Sequence, residues 1–154
     1  MITLADAVPG DENKIAVLCA DLDLFYGGTP EGTPGERATV VRNVLFGMPP
    51  VAYALLARDG PELAGMAAYS FLWPAAGLSA SLYLKELYVA EAYRRAGVGR
   101  LLMDGVRAIA GRRRLSRIEW TTDTSNRDAQ EFYEALGTEP LASKIFYRAA
   151  VGDR

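Results

Sequence analysis

The sequence predicts an α/β (α+β) fold, and three observations carry that expectation. Segments of strand-like period lie among segments whose apolar residues recur at three- and four-residue steps, so strands and helices interleave. One of the strands passes into an amphipathic helix across a short loop rich in arginine and glycine, Arg94 to Arg100. The chain of 154 residues, half of them hydrophobic and 23% charged, suffices for one core with little room for a second, so a single domain over 1–154 is expected.

Met1 to Val8 alternates weakly and is closed by Pro9-Gly10, a strand followed by a turn. Ile15, Leu18, Cys19, Leu22 and Phe25 or Tyr26 mark one face of a helix that Gly27-Gly28 ends. Thr29 to Gly35 reads as loop, and a second helix is expected from about Glu36 to Phe46, stopped by Gly47 and Pro49-Pro50. Val51 to Arg58 and Glu62 to Trp73 are strands joined by Asp59-Gly60-Pro61, a hairpin signal. After the loop Pro74 to Gly77 comes a strand at about Ser79 to Val89. From Gly97 the period changes: Val98, Leu101, Leu102, Gly105, Val106 and Ile109 form the stripe of a helix reaching about Gly111. Arg117 to Thr122 is a further strand. Ser125-Asn126-Arg127-Asp128 caps a helix bearing Ala129, Phe132, Tyr133 and Leu136, with Gly137 as its stop, and Lys144 to Val151 is expected as a last strand.

Composition excludes several chemistries. There is no histidine, which removes Ser-His-Asp hydrolysis and His-paired cysteine catalysis, and one cysteine, Cys19, allows neither an intrachain disulfide nor a cysteine-rich zinc site; no metal is expected. No apolar run approaches the roughly 18 residues of a membrane span, and the N-terminus lacks the basic start and apolar core of a secretory signal, so a cytoplasmic protein without a membrane partner is expected. The formal net charge of −2 hides an asymmetry. Residues 1–50 carry seven acids (Asp6, Asp11, Glu12, Asp21, Asp23, Glu31, Glu36) against Lys14, Arg37 and Arg42, whereas from Glu91 to Arg117 eight arginines stand against only Glu91 and Asp104. An anionic partner at the basic stretch and a cationic one at the acidic stretch would account for both halves, as would solvated helix faces. Nucleic acid is not expected, because no aromatic is interleaved with the arginines and the whole chain is acidic.

The informative stretch is Arg94-Arg95-Ala96-Gly97-Val98-Gly99-Arg100. Glycines let a ligand approach the backbone, a helix N-terminus offers N–H donors and partial positive charge, and three arginines add to it, a combination suited to a pyrophosphate. The loop lacks the Gly-Lys-Ser/Thr ending of a Walker motif and the Gly-x-Gly-x-x-Gly spacing of a dinucleotide fold.

Leu84-Lys85-Glu86-Leu87-Tyr88-Val89, followed by Tyr93 to Leu102, resembles the strand, loop and helix of the GNAT superfamily of acetyl-CoA-dependent N-acetyltransferases, whose Arg/Gln-x-x-Gly-x-Gly/Ala pattern is met at Arg94, Gly97 and Gly99. Asn126 to Gly137, with Phe132-Tyr133, resembles the second signature of that family. The likeness is strongest over residues 80–150, and within the superfamily it is nearest to the spermidine/spermine (diamine) branch. It implies a mixed, strongly twisted sheet flanked by helices, whose two central parallel strands splay to admit pantetheine. It further implies that the backbone of Leu87, Tyr88 and Val89 binds pantetheine, that Arg94, Arg95, Ala96, Gly97, Val98, Gly99 and Arg100 hold the pyrophosphate of acetyl-CoA (coenzyme A), and that Asn126 and Tyr133 lie near the far arm and the thioester sulfur. Homodimerisation is an expectation at family level.

Acetyl transfer to an amine makes its own demands. The amine arrives protonated, with a pKa near 10, and needs a base. Strand alternation puts Leu82, Leu84, Glu86 and Tyr88 on one face, leaving Glu86 among apolar neighbours that raise a carboxyl pKa, and makes it the candidate base as well as a contact for the substrate. Backbone N–H groups near Leu87 to Val89 would meet the oxyanion, and Tyr133 would protonate the thiolate that leaves. Asp21, Asp23 and Tyr26 on the acidic N-terminal helix would receive the amine. The expected function is acetyl transfer to the primary amine of a small cationic, polyamine-like molecule by direct attack. The alternatives are a protein N-terminus or lysine as acceptor, and a silent acyl-CoA-binding regulatory module.

Overall fold

The computed structural model describes residues 1–152. They fall into two compact units, Met1–Thr121 and the segment from Thr122 onward. The first contains β1 (Ile2–Asp6), α1 (Glu12–Phe25), α2 (Pro34–Phe46), β2 (Tyr53–Asp59), β3 (Glu62–Leu72), β4 (Ser81–Val89), α3 (Val98–Arg112) and β5 (Arg117–Glu119); the second contains α4 (Arg127–Ala135). The predicted α/β fold is present.

The sheet runs in the order β1-β2-β3-β4-β5. The first four strands are antiparallel to their neighbours, and β5 is parallel to β4. A parallel neighbour needs a crossover, which α3 provides. The stripe expected on α3 is observed, with Val98, Leu102, Met103, Val106, Ile109 and Ala110 all buried. This helix lies close against the sheet because Gly105 has no side chain: a Cβ there would come within 2.5 Å of Leu55 Cδ2 and 2.7 Å of Leu4 Cδ1. Helices α1 and α2 cover the opposite face, where Ile15, Leu18, Ala54, Leu56, Leu63, Met66 and Tyr88 form one cluster. Neighbouring Leu55 and Leu56 thus point to opposite layers, as the two-residue strand period requires.

Helix α2 starts two residues before the expected point. Pro34 and Gly35 resemble loop in composition, but Pro34 stands in the first turn, where its missing N–H costs nothing. Thr33 Oγ1 accepts from the Glu36 N–H at 3.2 Å, and the Glu36 carboxylate accepts from the Thr33 N–H at 2.7 Å, a reciprocal cap.

The start of α1 is held by two buried acids. Asp11 accepts from the Val8 N–H at 2.9 Å and pairs with Arg58 of β2 at 2.6 Å. Glu12 accepts from the Gly10 N–H at 2.6 Å and pairs with Arg42 of α2 at 2.9 Å.

Three expectations need correction. Lys144 to Val151 forms no strand: Ile145, Phe146 and Tyr147 are all exposed and no ladder receives them, so the inside-outside alternation that stabilises a strand is missing. β5 ends at Glu119 rather than Thr122, and because no strand forms beyond it among the described residues, it is an edge strand and not a central one. The third correction concerns the faces of β4 and belongs to the site. Among the described residues no helix is long and apolar enough to cross a membrane.

Two outcomes follow from this packing. Gly105→Ala is expected to cost about 1–3 kcal/mol by overpacking against Leu4 and Leu55, read by urea unfolding. The Glu12 carboxyl is held below its ordinary value of 4.5, first by its own backbone N–H, then by that of Gly10 and by Arg42. A depressed native pKa gives stability that is present above 4.5 and lost as pH falls through the native value. Glu12→Gln is therefore expected to lower the melting temperature at pH 7, with the difference from wild type vanishing under strongly acid conditions.

Candidate active site

β4 and β5 pair only over Ser81–Arg117, Leu82–Ile118 and Tyr83–Glu119. From Leu84 to Val89, β4 continues along β3 while no described strand lies on its other side. Just past the point of parting, β4 carries a bulge. Ala68 pairs with Glu86 and Tyr69 with Leu84, so Lys85 has no opposite residue. Such a bulge bends and twists its strand and shifts the side-chain alternation by one.

That shift overturns the expected shared face. Leu82 and Leu84 pair with Phe71 and Tyr69 and look toward the α3 layer, while Glu86 and Tyr88 pair with Ala68 and Met66 and look toward α1. Tyr88 accordingly belongs to the cluster beneath α1. Glu86, half-buried, acts electrostatically on the thiol of Cys19, as does Asp23 one helical turn beyond it, so the carboxylates of β4 and α1 converge there. Burial first, then these two negative charges, push the Cys19 thiol up from its ordinary value. Asp21 does not join them, because residues two apart on a helix point in opposed directions; it is exposed. Tyr26 follows the last residue of α1, its ring edge-on to Phe25 at 5.2 Å.

The backbone direction of β4 is fixed by the Ala90 N–H, which donates to the Ala64 carbonyl at 2.9 Å. By alternation Tyr88 and Glu86 aim their backbone groups at β3, whereas Leu87 and Val89 aim theirs at the edge that β5 leaves open. The Val89 carbonyl confirms the direction by accepting from Arg94 Nε at 3.1 Å. The edge therefore presents the N–H groups of Leu87 and Val89, and Tyr88 contributes its side chain to the other layer rather than its backbone to this edge.

A one-turn helix at Glu91–Tyr93 leads from β4 into the loop. Arg95 (φ 58°) and Gly97 (φ 81°) are left-handed, and Gly97 is the N-cap of α3 without any side-chain cap. The first helical bond runs from the Leu101 N–H to the Gly97 carbonyl at 3.0 Å, which leaves the N–H groups of Val98, Gly99 and Arg100 at the head of the helix without helical acceptors. Buried Val98 fixes the turn to the core, while Arg95, Ala96, Gly97 and Arg100 are exposed. Such a helix N-terminus, with exposed arginines beside it, has the chemistry of an anion seat.

Arg94 differs from its neighbours in the loop. Its guanidinium lies 4.9 Å from the ring centre of Phe25 and 5.7 Å from that of Tyr88, and Nη2 is 3.4 Å from the Tyr88 hydroxyl. Nothing in the sequence pattern signalled this set of contacts. In the second unit, Asn126 caps α4 by accepting from the Ala129 N–H at 3.1 Å, and half-buried Tyr133 stands on that helix with its ring edge-on to Phe132 at 5.2 Å.

Comparison with known proteins agrees with the fold. Residues 21–138 match the model of the acetyltransferase (GNAT) family. The chain is 27% identical over 125 residues to an aminoglycoside N(6')-acetyltransferase type 1 of Serratia marcescens, covering 80% of this chain and 86% of that one. It is 35% identical over 57 residues to an L-ornithine N5-acetyltransferase of Arabidopsis thaliana, covering 37% of this chain and 25% of that one. Several of the curated relatives it matches are much longer, so that the match spans 25–32% of their length. An integron cassette protein from the mobile metagenome of V. cholerae has the same fold, with a TM-score of 0.88 at 23% identity over 97% of this chain and 92% of that chain. With the family model covering most of its length, the chain belongs to the GNAT family of acetyltransferases.

Proposed function

We propose that this protein transfers the acetyl group of acetyl-CoA to the primary amine of a small cationic acceptor, of diamine or polyamine type, by direct attack. The observation that carries the reading is the parting of β4 from β5 beside the anion seat, with a pair of carboxylates on the other side of the same strand. Names borne by relatives support the acceptor class, since ornithine and aminoglycosides are cationic amines. The residues present fit coenzyme A: the N–H groups of Val98, Gly99 and Arg100 with the Arg95 and Arg100 side chains for phosphate, and the outward backbone of Leu87 and Val89 for the amide arm. When bound, acetyl-CoA supplies the activated acyl thioester.

The chain itself does four things. The Leu87 and Val89 N–H groups are donors for a carbonyl oxygen on the open edge. Asp23 and Glu86 draw an ammonium to the α1 side of β4. Glu86 takes the proton of that ammonium at its carboxylate, through water. The fourth, protonation of the leaving sulfur by Tyr133 Oη, rests on the family resemblance alone. Cys19 is no covalent relay, because its raised pKa keeps it a thiol and the thiolate is the nucleophile.

The test is a panel of diamines, polyamines, aminoglycosides and peptides incubated with acetyl-CoA and read by thiol release. Release with small cationic amines is expected, and release with peptides alone would replace the acceptor class. Glu86→Gln is expected to lower turnover about 10²- to 10⁴-fold with acetyl-CoA affinity unchanged; unaltered turnover across the pH range would remove Glu86 from the mechanism. Cys19→Ala is expected to keep transfer intact, and the wild-type thiol to resist iodoacetamide at pH 8 relative to free cysteine, as mass spectrometry would show.

A further inference from the structure

We propose that the end of the sheet remote from the anion seat docks on an anionic lipid surface, with Trp73 and Leu78 entering its apolar layer and Arg112, Arg113 and Arg114 meeting its headgroups. The proposal stands apart from acetyl transfer and uses none of the residues assigned to it.

Strand pairing gathers the surface. β2 begins at Tyr53, opposite Tyr69 of β3; β3 ends at Leu72, opposite Ser81 of β4; and Ser81 is level with Arg117 of β5. The connections from α2 to β2, from β3 to β4 and from α3 to β5 therefore lie at one end of the sheet. Two hydrogen bonds hold them together: the Ser70 hydroxyl donates to the Val51 carbonyl at 3.3 Å, and the Ser116 N–H to the Ala80 carbonyl at 3.1 Å. The anion seat follows Val89, about 26 Å farther along β4.

This end is cationic. Residues 47–52, 72–80 and 112–117 contain four arginines and no acid. Arg117 pairs with Glu119 at 3.3 Å, so Arg112, Arg113 and Arg114, all exposed, carry the charge. The Arg113 guanidinium lies 4.5 Å from the ring centre of Phe71, which joins the arginine turn to the β3–β4 loop in one surface. Asp6, at the same end of β1, is separated from β3 by β2.

The same end is apolar at its tips. Met48, Val51, Leu72, Trp73 and Leu78 are exposed, Trp73 by 70% and Leu78 by 78%. The polar groups of the β3–β4 loop are instead turned on one another. Trp73 Nε1 donates to the Leu78 carbonyl at 3.1 Å, the Ser79 hydroxyl to the Ala76 carbonyl at 2.6 Å, and the Ala75 N–H to the Ser79 carbonyl at 2.6 Å. An indole taken out of water needs a partner for its N–H, and here the loop itself supplies one, so the ring enters an apolar layer without stranding a donor. Leu78 is a second, independent sign. Its φ of 61° is left-handed, a costly conformation for leucine, yet its side chain is mostly in water, where little packing offsets that cost.

These features select the partner. Apolar tips that include tryptophan, flanked by arginines, match the two layers of a membrane interface, acyl chains below and anionic headgroups above. A twofold interface centred here would set arginines against arginines. A nucleic acid or an acidic protein would meet the charge and leave Leu72 and Leu78 in water. Surface docking needs neither a spanning run nor a secretory signal, the two features whose lack led the sequence to predict no membrane partner.

The experiment floats the full chain with vesicles of phosphatidylcholine alone and with vesicles in which about one-third of the lipid is phosphatidylglycerol. Wild type is expected to float with the anionic vesicles at low salt, to remain unbound with the neutral ones, and to be released at about 1 M salt. Its tryptophan emission should shift to the blue on binding, and the shift should be absent in Trp73→Phe. Leu78→Asn, which suits left-handed backbone and so preserves the fold, should weaken binding about fivefold or more. Arg112→Gln/Arg114→Gln should weaken it about 30-fold, with unchanged melting temperatures showing both variants folded. The Arg95→Gln/Arg100→Gln pair, at the other end, should bind vesicles as wild type does. Failure to float, equal flotation with neutral vesicles, or a loss of binding in the Arg95/Arg100 pair but not in the loop variants would overturn the proposal. So would a dimer in sedimentation that Leu78→Asn dissolves, or capture of single-stranded RNA or polyglutamate without flotation, because these assign the surface to a second copy or to a soluble polyanion.

Discussion

Everything in the first unit that bears on chemistry follows from one interrupted hydrogen-bond ladder. β4 and β5 share three residue pairs and then separate, although β4 continues for six residues more. A strand edge left in that state has N–H and C=O groups that need partners from elsewhere, and proteins usually cover or twist away such an edge. Here the neighbouring core resists closure: Val98, Leu102 and Val106 tie the crossover helix to the sheet, and the bulge at Lys85 turns β4 just beyond the last shared pair. The opening is thus built into the packing, and a ligand with amide groups along an extended arm is the natural partner for it.

The bulge also divides the labour between the two faces of the sheet. Without it, Glu86 would lie in the α3 layer with Leu84, on the same face as the helix whose N-terminus receives anions. One inserted residue sends Glu86 and Tyr88 to the other layer, so that positive potential from Arg95, Arg100 and three helix N–H groups is on one side and the negative charge of Asp23 and Glu86 is on the other. Of the seven acids in residues 1–50 only Asp23 belongs to this side, for Asp11 and Glu12 are paired with Arg58 and Arg42 and Glu36 caps α2. In the proposed function, an acyl donor bearing phosphates and an acceptor bearing ammonium would each be attracted to the side where they meet no like charge.

Much of this was legible before any coordinates, because hydrophobic period is a local signal. The stripe of α3, the hairpin at Asp59-Gly60-Pro61, the cap at Asn126 and the arginine-glycine turn could all be located from a few neighbouring residues each. What escaped depends on pairing between distant segments. The bulge at Lys85 exists only in relation to Ala68 and Tyr69, so simple alternation assigned Glu86 to the wrong face. The ring contacts of Arg94 join residues 25, 88 and 94, whose spacing has no period. The strand expected at Lys144–Val151 failed for the converse reason: local strand propensity was present, but a strand is made by its partner.

The acidic side of β4 poses a problem that its own chemistry must solve. Two carboxylates that attract an ammonium also strengthen its hold on the proton, since nearby negative charge raises an amine's pKa above the ordinary value near 10. Capture and deprotonation therefore pull in opposite directions if the charges are in open water. They cease to conflict where the amine is partly withdrawn from solvent, because an apolar neighbourhood penalises every charged form and favours passing the proton to a carboxylate, which leaves two neutral groups in place of an ion pair. Glu86 is half-buried opposite Ala68 of β3, on the layer that holds Tyr88 and Met66. In the proposed function, a base placed at the boundary between the acidic side and an apolar layer would both collect the cation and neutralise it. Glu86, the residue after the bulge, is where β4 meets that boundary.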